Sequence, residues 1–409
     1  MPSLRFPSRL AALTACACAA SGISRPSDPP ATTTATPLAI VDVQVVPMHS
    51  AGVAAHRTVL IRDRRIEWVG PVGARTPPPD ATVIEGGGRF LMPALIDMHV
   101  HLRAAELERY LANGIATVRN MWGFPEIARW AEEIASGTRP GPTIFSASQG
   151  LDGTPPQWPL TILVTQPESA RAAVQGQRDA GWSWLKVYTR LTPAAFDSVM
   201  AAARDLGMIP IGHVPLAVDI RAALAAGMRS IEHLTGYDRA VSRSGNAGTW
   251  GWIDTDASRY AELVAASVAA GAWNCPTLAI YSELARRQHT PAEREAMLRN
   301  RRTFVKQLAD AGAPLLLGTD AGIDIVPAGT AIHDELAELV AAGLTPYEAL
   351  RAGTSEAARF LGRSDLGVIA AGAEASLILV RGNPLVDVAA LRSLDGVVIR
   401  GAWRPAPPR

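Results

Sequence analysis

Cysteine is almost absent from this chain: of 409 residues only three are Cys, and two of these, Cys16 and Cys18, fall near its start. The rest of the chain therefore has no disulfide framework and must be held by its core, whatever redox compartment it occupies. Net charge is missing too: 39 Lys and Arg against 38 Asp and Glu leave +1, with no long run of one sign. That balance gives a nucleic-acid or polyanion partner no electrostatic support. Beyond the N-terminal region no segment supplies the roughly twenty uncharged apolar residues of a membrane span. No G-x-G-x-x-G follows a strand-like run, so an open dinucleotide-binding sheet lacks its signature. What is present is 48% hydrophobic and 19% charged residues, the composition of a soluble globular enzyme with a large core.

The N-terminal text differs in character. "MPSLRFPSRLAALTACACAASG" has two arginines and a short apolar, small-residue run, and "ISRPSDPPATTTATP" is rich in Pro, Thr and Ser. This predicts an export signal over 1–20 and a disordered tether over 21–37. Within it "LTAC", ending at Cys16, resembles the lipobox of bacterial lipoproteins, whose cysteine is lipidated after cleavage. Ordinary cleavage near Ala20 is the alternative. Either route predicts an exported protein: periplasmic, membrane-anchored through its N-terminus, or secreted.

From about residue 38 short β-type runs appear ("AIVDVQVVPM", "RTVLIRD", "RRIEWVG"), and similar ones return only at the far end ("ASLILVRGN", "GVVIRGAWR"). Lone hairpins are unstable in water, so the two ends are expected to build one small β-sandwich, from 38–90 plus 363–409. Over 91–362 strand-like runs alternate with helical ones, and many helices should stop at glycine, as in "RDLG" and "VAAG". The strand candidates are "LIDMHVH", "IATVRNM", "PTIFSAS", "SWLKVY", "MIPIGHV", "MRSIEHL", "AWNCPTL" and "PLLLGTD". Eight such units predict an α/β fold with a (β/α)8 TIM barrel, whose usual length is about 250 residues.

The chemistry-bearing residues sit at the ends of these strands. Alternate side chains of a strand share a face, which puts His99 and His101 on one side, about 6.7 Å apart along the backbone. A lone pair of this kind reads more readily as two satisfied core histidines than as a metal site. Its company changes the reading: His213 ends "MIPIGHV", His233 ends "MRSIEHL", Asp320 ends "PLLLGTD" and Lys186 lies within "SWLKVY". In a barrel the C-terminal strand ends form one mouth where catalytic residues converge. A lysine among Trp, Leu and Val is odd as packing, because Lys is rarely buried unpaired.

Taken together, "PALIDMHVHL", "LKVY", "GHV", "IEHL" and "LLLGTDAG" closely resemble the amidohydrolase superfamily of metal-dependent hydrolases. The tail from "HDELAELVAAGLTPYEALRAGTSEAARFLG" resembles its imidazolonepropionase-like and prolidase-like branch. The resemblance implies two divalent metal ions, zinc by default, one held by His99, His101 and Asp320 and the other by His213 and His233. It also implies that Lys186 bridges them as a carbamate formed with carbon dioxide. A metal-bridging hydroxide would then attack the substrate carbonyl, with Asp320 as the catalytic proton carrier. Where the branch commonly has Asp after "TVR", this chain has Asn120, and where its last strand commonly reads "ADL", this chain has "ASL".

Tyr188, two residues past Lys186, is expected on the same face nearer the mouth and so to touch substrate. His333 resembles a pocket position of the prolidase-like branch and is a second substrate-binding candidate. Arg119 suits a structural carboxylate better than a substrate anion. Trp122, Trp158, Trp182, Trp250 and Trp252 lie in or beside loops, which suggests an aromatic-accepting pocket. The expected activity is hydrolysis of an amide bond in a small-molecule substrate, a dipeptide or N-acyl amino acid, by a homo-oligomer. A mononuclear deaminase or cyclic-amide hydrolase, an esterase, lactonase or xenobiotic amidase on the same scaffold, and a non-catalytic surface binding protein are the alternatives. Lys186 discriminates the first of these, which usually lacks it.

Overall fold

The structure, a computed structural model, describes residues 36–406. The stretch expected to be an export signal, with Cys16, and nearly all of the expected tether lie outside the described residues. Among those described, no helix is long and apolar enough to cross a membrane.

Seven parallel strands run in chain order around a barrel: Leu95–Val100, Ile115–Asn120, Thr143–Asp152, Trp184–Val187, Ile209–Gly212, Ser230–Glu232 and Trp273–Cys275. The eighth, from "PLLLGTD", closes the ring through isolated parallel bridges of Leu315 to Asn274 and Ala321 to Val100. Backbone bonds from Met98 N–H to Leu317 O and from Asp320 N–H to His99 O complete the seam. Its pleat is interrupted because Asp320 takes a left-handed backbone, φ 58°. Helices stop at the expected glycines: Gly207 (φ 67°) follows Pro193–Asp205, and Gly271 (φ 60°) follows Tyr260–Ala270. Both conformations are strained for a residue with a Cβ.

The chain ends form one mostly antiparallel sheet in which Leu377–Val380 pairs with Phe90–Pro93, which in turn pairs with Leu38–Val45. Strand alternation gives this sheet two buried faces. Ile378 and Val380 join the main core that runs into the barrel, whereas Leu377 and Leu379 pack with Ile40, Val59 and Ile61 in a core of their own. That is why "LILV" is apolar at every position instead of every second one. The strand Phe90–Pro93 lies across the 90/91 boundary drawn from sequence and belongs to the terminal sheet.

The short helix Ser355–Phe360 plugs the end of the barrel where the strands begin. Phe360 lies 6.0 Å from the ring of Trp184 and 5.3 Å from that of Trp273, each the first residue of its strand. These aromatics are the floor on which the interior layers rest. Phe360→Ala is expected to cost about 3–5 kcal/mol, read from chemical denaturation. Metal affinity at the opposite end should be preserved, and a matching loss of affinity would show that the floor and the mouth are one unit.

Candidate metal centre

His99 on the first strand is wholly buried and His101, just past it, is 24% exposed. Their rings, 5.5 Å apart, turn toward Asp320 from the eighth strand. His99 Nε2 comes within 3.3 Å and His101 Nε2 within 3.0 Å of Asp320 Oδ1. His233 Nε2 is 3.9 Å from Oδ2, and its ring is 4.5 Å from that of His99 and 4.8 Å from that of His213. Lys186, from the fourth strand, is fully buried beside them, its Nζ 5.6 Å from the Tyr188 ring. The structure therefore brings together His99, His101, Lys186, His213, His233, Asp320 and Tyr188.

The second nitrogen of each deeper ring is engaged. His99 Nδ1 bonds Glu232 at 2.7 Å, His213 Nδ1 lies 3.0 Å from Thr189 Oγ1, and His233 Nδ1 lies 2.7 Å from Thr277 Oγ1. A carboxylate can only accept, so His99 Nδ1 carries a proton and it is Nε2 that faces the centre. Yet His99 Nε2, Asp320 Oδ1 and Lys186 Nζ are all buried without a hydrogen-bond partner. Polar atoms left unpartnered in the interior are costly unless a further group sits among them. Buried imidazole and carboxylate donors with open lone pairs are the donor set that divalent zinc and its neighbours take. The residues present thus fit a metal centre.

Protonation favours the same reading. Burial pushes His213 and His233 well below the usual imidazole range, and burial lowers His101 despite the Asp320 charge. Burial opposes ionisation of Asp320, but His233 and His99 beside it win and hold it well below the carboxylate range. Burial also draws the Lys186 ammonium down to about 8, against the pull of Glu232 and Asp320. Neutral rings at His101, His213 and His233, an ionised Asp320 and an amine that readily loses its proton suit metal ligation.

Two of the ligand positions are held in an uncommon backbone: His233 has φ 61° and Asp320 φ 58°, and Thr277, which bonds His233, has φ 49°. Such conformations cost on the order of 1–3 kcal/mol each and persist only when the surroundings impose them. Arg301, fully buried on the helix Pro291–Asp310, does so here. Its Nη2 donates to His233 O at 3.1 Å and Pro276 O at 2.9 Å, tying the ends of two strands. Glu335, on the helix Ala331–Ala341, accepts from Ala279 N–H at 2.7 Å just beyond.

Glu232 was not singled out from the sequence. It is fully buried and accepts from Ser230, from His99 and from Arg119 Nη2 at 2.9 Å. Burial alone would raise its pKa, but the Arg119 guanidinium outweighs this and holds it far below the carboxylate range. Arg119 thus meets a structural carboxylate. Cys275 also lies near His99 and Glu232, but Glu232 already accepts from three donors, whereas Asp320 Oδ1 has no hydrogen-bond partner. Asn120 is structural as well, accepting from Leu102 N–H and donating to Trp122 O and Ser146 Oγ.

His333 is buried on the helix Ala331–Ala341, its Nδ1 without a hydrogen-bond partner, and it is pushed down to about 4 by burial and then by Arg392.

Two outcomes follow from these anchors. Glu232→Gln leaves the Arg119 charge buried and unpaired, which should cost about 3–5 kcal/mol and weaken metal affinity by roughly 10–100-fold in chelator competition. The double variant Arg119→Met/Glu232→Gln should recover stability but not affinity; recovery of both would mean that His99 needs no anchor. Glu335 is pushed up to about 8 by burial against an ordinary value of 4.5. The folded chain then keeps a proton that the unfolded chain has lost, so stability should fall as pH rises between those values. Glu335→Gln should flatten that part of a denaturation-midpoint profile.

The profile of the amidohydrolase family matches residues 90–404. An imidazolonepropionase of Anaeromyxobacter sp. (strain K) is 28% identical over 397 residues, spanning 80% of this chain and 85% of its own. Bottromycin amidohydrolase superposes with a TM-score of 0.72 at 25% identity, covering 91% of this chain and 88% of that one. A Xaa-Pro dipeptidase crystallised with methionine in its active site has the same fold, with a TM-score of 0.73 at 22% identity over 90% of this chain and all of its own.

Proposed function

The chain belongs to the amidohydrolase family and is a hydrolase of carbon–nitrogen bonds, and from that premise we propose a binuclear enzyme that cleaves an amide in an N-acyl amino acid or dipeptide. The observation that carries the metal reading is the set of unpartnered donors, His99 Nε2, Asp320 Oδ1 and Lys186 Nζ, buried side by side. His99, His101 and Asp320 would hold one divalent ion, and His213 and His233 the other. Lys186 would join them as a carbamate: its amine, partly neutral near pH 8, adds to carbon dioxide and loses a proton, turning a cation into a bidentate anion. Zinc is the default for this donor set.

When bound, the ions supply Lewis acidity toward the amide carbonyl and acidify water toward a pKa of about 7. The chain's own part is positional and protonic. Asp320, ionised and at the mouth, takes the proton of the attacking water and delivers it to the leaving nitrogen, a relay worth ~10² to 10⁴ in rate. Tyr188 stands over His213 with ring centroids 4.2 Å apart, and its hydroxyl accepts from Trp158 Nε1 at 2.6 Å. Its phenol is pushed above its usual range by burial, so it stays a neutral donor toward a substrate oxygen. The arginine-bearing apolar leader supports export, where acylated amino acids and peptides are met as nutrients.

The test is metal-reconstituted protein assayed on N-acyl amino acids and dipeptides, with ion counts per chain. Two ions are expected, together with a carbamate carbon signal by NMR after labelling with ¹³C-bicarbonate. Lys186→Ala should lose one ion and most activity, with partial rescue by short carboxylic acids. One ion per chain in the parent protein, with Lys186→Ala still active, would replace this reading with a mononuclear cyclic-amide hydrolase of the kind the imidazolonepropionase relative suggests.

A further inference from the structure

Beside the metal ligands the mouth opens into a cavity of about 180 Å³ whose walls include Trp122, Phe124, Trp158, Leu160, Ile323 and His101. His101 is the member it shares with the candidate metal centre. Of the other tryptophans in or beside loops, Trp252 is buried against Tyr260 and Phe304, Trp250 packs on His289 and Trp182 packs on the main core, so Trp122 and Trp158 are the two that line this cavity. The cavity is pre-shaped. A Cβ added to Gly150 would come within 2.2 Å of the Trp122 ring, so that glycine is what lets the indole lie flat over its strand. The Trp122 ring then meets Tyr188 edge-on at 5.0 Å.

Two polar groups of this wall are already used. The Asn120 amide is consumed by Leu102, Trp122 and Ser146, and the Trp158 indole N–H by Tyr188. None of the lining residues is Lys, Arg, Asp or Glu. The rim, in contrast, is apolar and wet: Trp158 is 41% and Leu160 69% exposed, on the loop after the third strand. Large apolar side chains left in water beside an apolar hollow are expected where a ligand covers them.

We propose that this cavity receives the acyl group of the substrate, and that the natural substrate is an amide with a bulky, uncharged acyl group, an arylacyl or medium-chain aliphatic one, in preference to a free dipeptide. The inference rests on the amide-hydrolase reading above. A dipeptide carries an ammonium next to its scissile carbonyl, which this wall would strip of water with no anion to meet it. The amine side of an N-acyl amino acid carries a carboxylate, for which the wall has no cation, so the acyl side is the part that fits. The volume is close to that of a cavity of about 150 Å³ known to accept benzene.

Metal-loaded full-length protein is assayed on one amine, glycine, bearing acetyl, hexanoyl, phenylacetyl, succinyl or phenylalanyl groups. Phenylacetyl- and hexanoyl-glycine should exceed acetyl-glycine at least 30-fold in kcat/KM, with succinyl-glycine and the dipeptide far below them. Phe124→Ala and the exposed-site variant Leu160→Ser should shrink the phenylacetyl-to-acetyl ratio. Calorimetric titration supplies a readout independent of turnover: phenylacetate should bind at least tenfold more tightly than acetate or phenylalanine. Equal kcat/KM across the acyl series overturns the inference while leaving amide hydrolysis standing. Selective phenylacetate binding without cleavage of any amide leaves the cavity assignment standing and overturns the reaction. Equal binding of acetate and phenylacetate overturns the assignment whatever the enzyme cleaves.

Discussion

Deep in the barrel a buried carboxylate, Glu232, lies between a buried guanidinium and a buried imidazole, and the layers above it depend on that chain of charge. Neither Arg119 nor Glu232 could be kept in the interior alone, since an unpaired buried ion costs several kcal/mol. Together they are neutral, and the pair sets the tautomer of His99 and hence the direction of the lone pair that His99 offers. Arg119 also donates to Met98 O at 2.6 Å and stands 4.8 Å over the Phe360 ring. One guanidinium thus links the aromatic floor, the first strand and the ligand layer.

Above this layer the architecture accepts local strain for convergence. Ligands from separate strands can point at one small volume only if some of the strand ends turn sharply. The left-handed residues His233, Thr277 and Asp320 make those turns. Their backbone strain is offset by anchors that come from outside the barrel, Arg301 on carbonyl groups and Glu335 on amides. The outer helices therefore do more than cover apolar strands: they hold the strand ends in conformations the strands would not choose.

The mouth divides its work by polarity. On one side, neutral imidazoles and an ionised carboxylate surround a place for cations; on the other, indole, phenyl and aliphatic surfaces surround a space without charge. His101 stands at the boundary. Such a division suits a substrate whose reactive carbonyl is polar and whose flank is not, since binding energy from the inert flank can be used to orient the reacting bond.

Much of this was legible in the chain itself. The eight strands and the glycine-terminated helices are encoded in periods of two to four residues, which survive in linear text because the backbone repeats them, and the His, Lys and Asp residues that gather at the mouth could be placed at the ends of those strands. The interiors of the terminal strands were legible for the same reason. Glu232 was not, because its role exists only once barrel closure brings Arg119, 113 positions away, to its side. The braces from Arg301 and Glu335, the Thr189 and Thr277 hydroxyls on the histidines, and the cavity between Trp122 and Trp158 are likewise contacts between distant segments. The sequence alone determined which histidines, lysine and aspartate sit at strand ends and which strand carries each, because those are local properties. Only the tertiary structure decided which lone pairs remain open, which backbone is strained to aim them and what uncharged space lies beside them, because each depends on distances that no local pattern records.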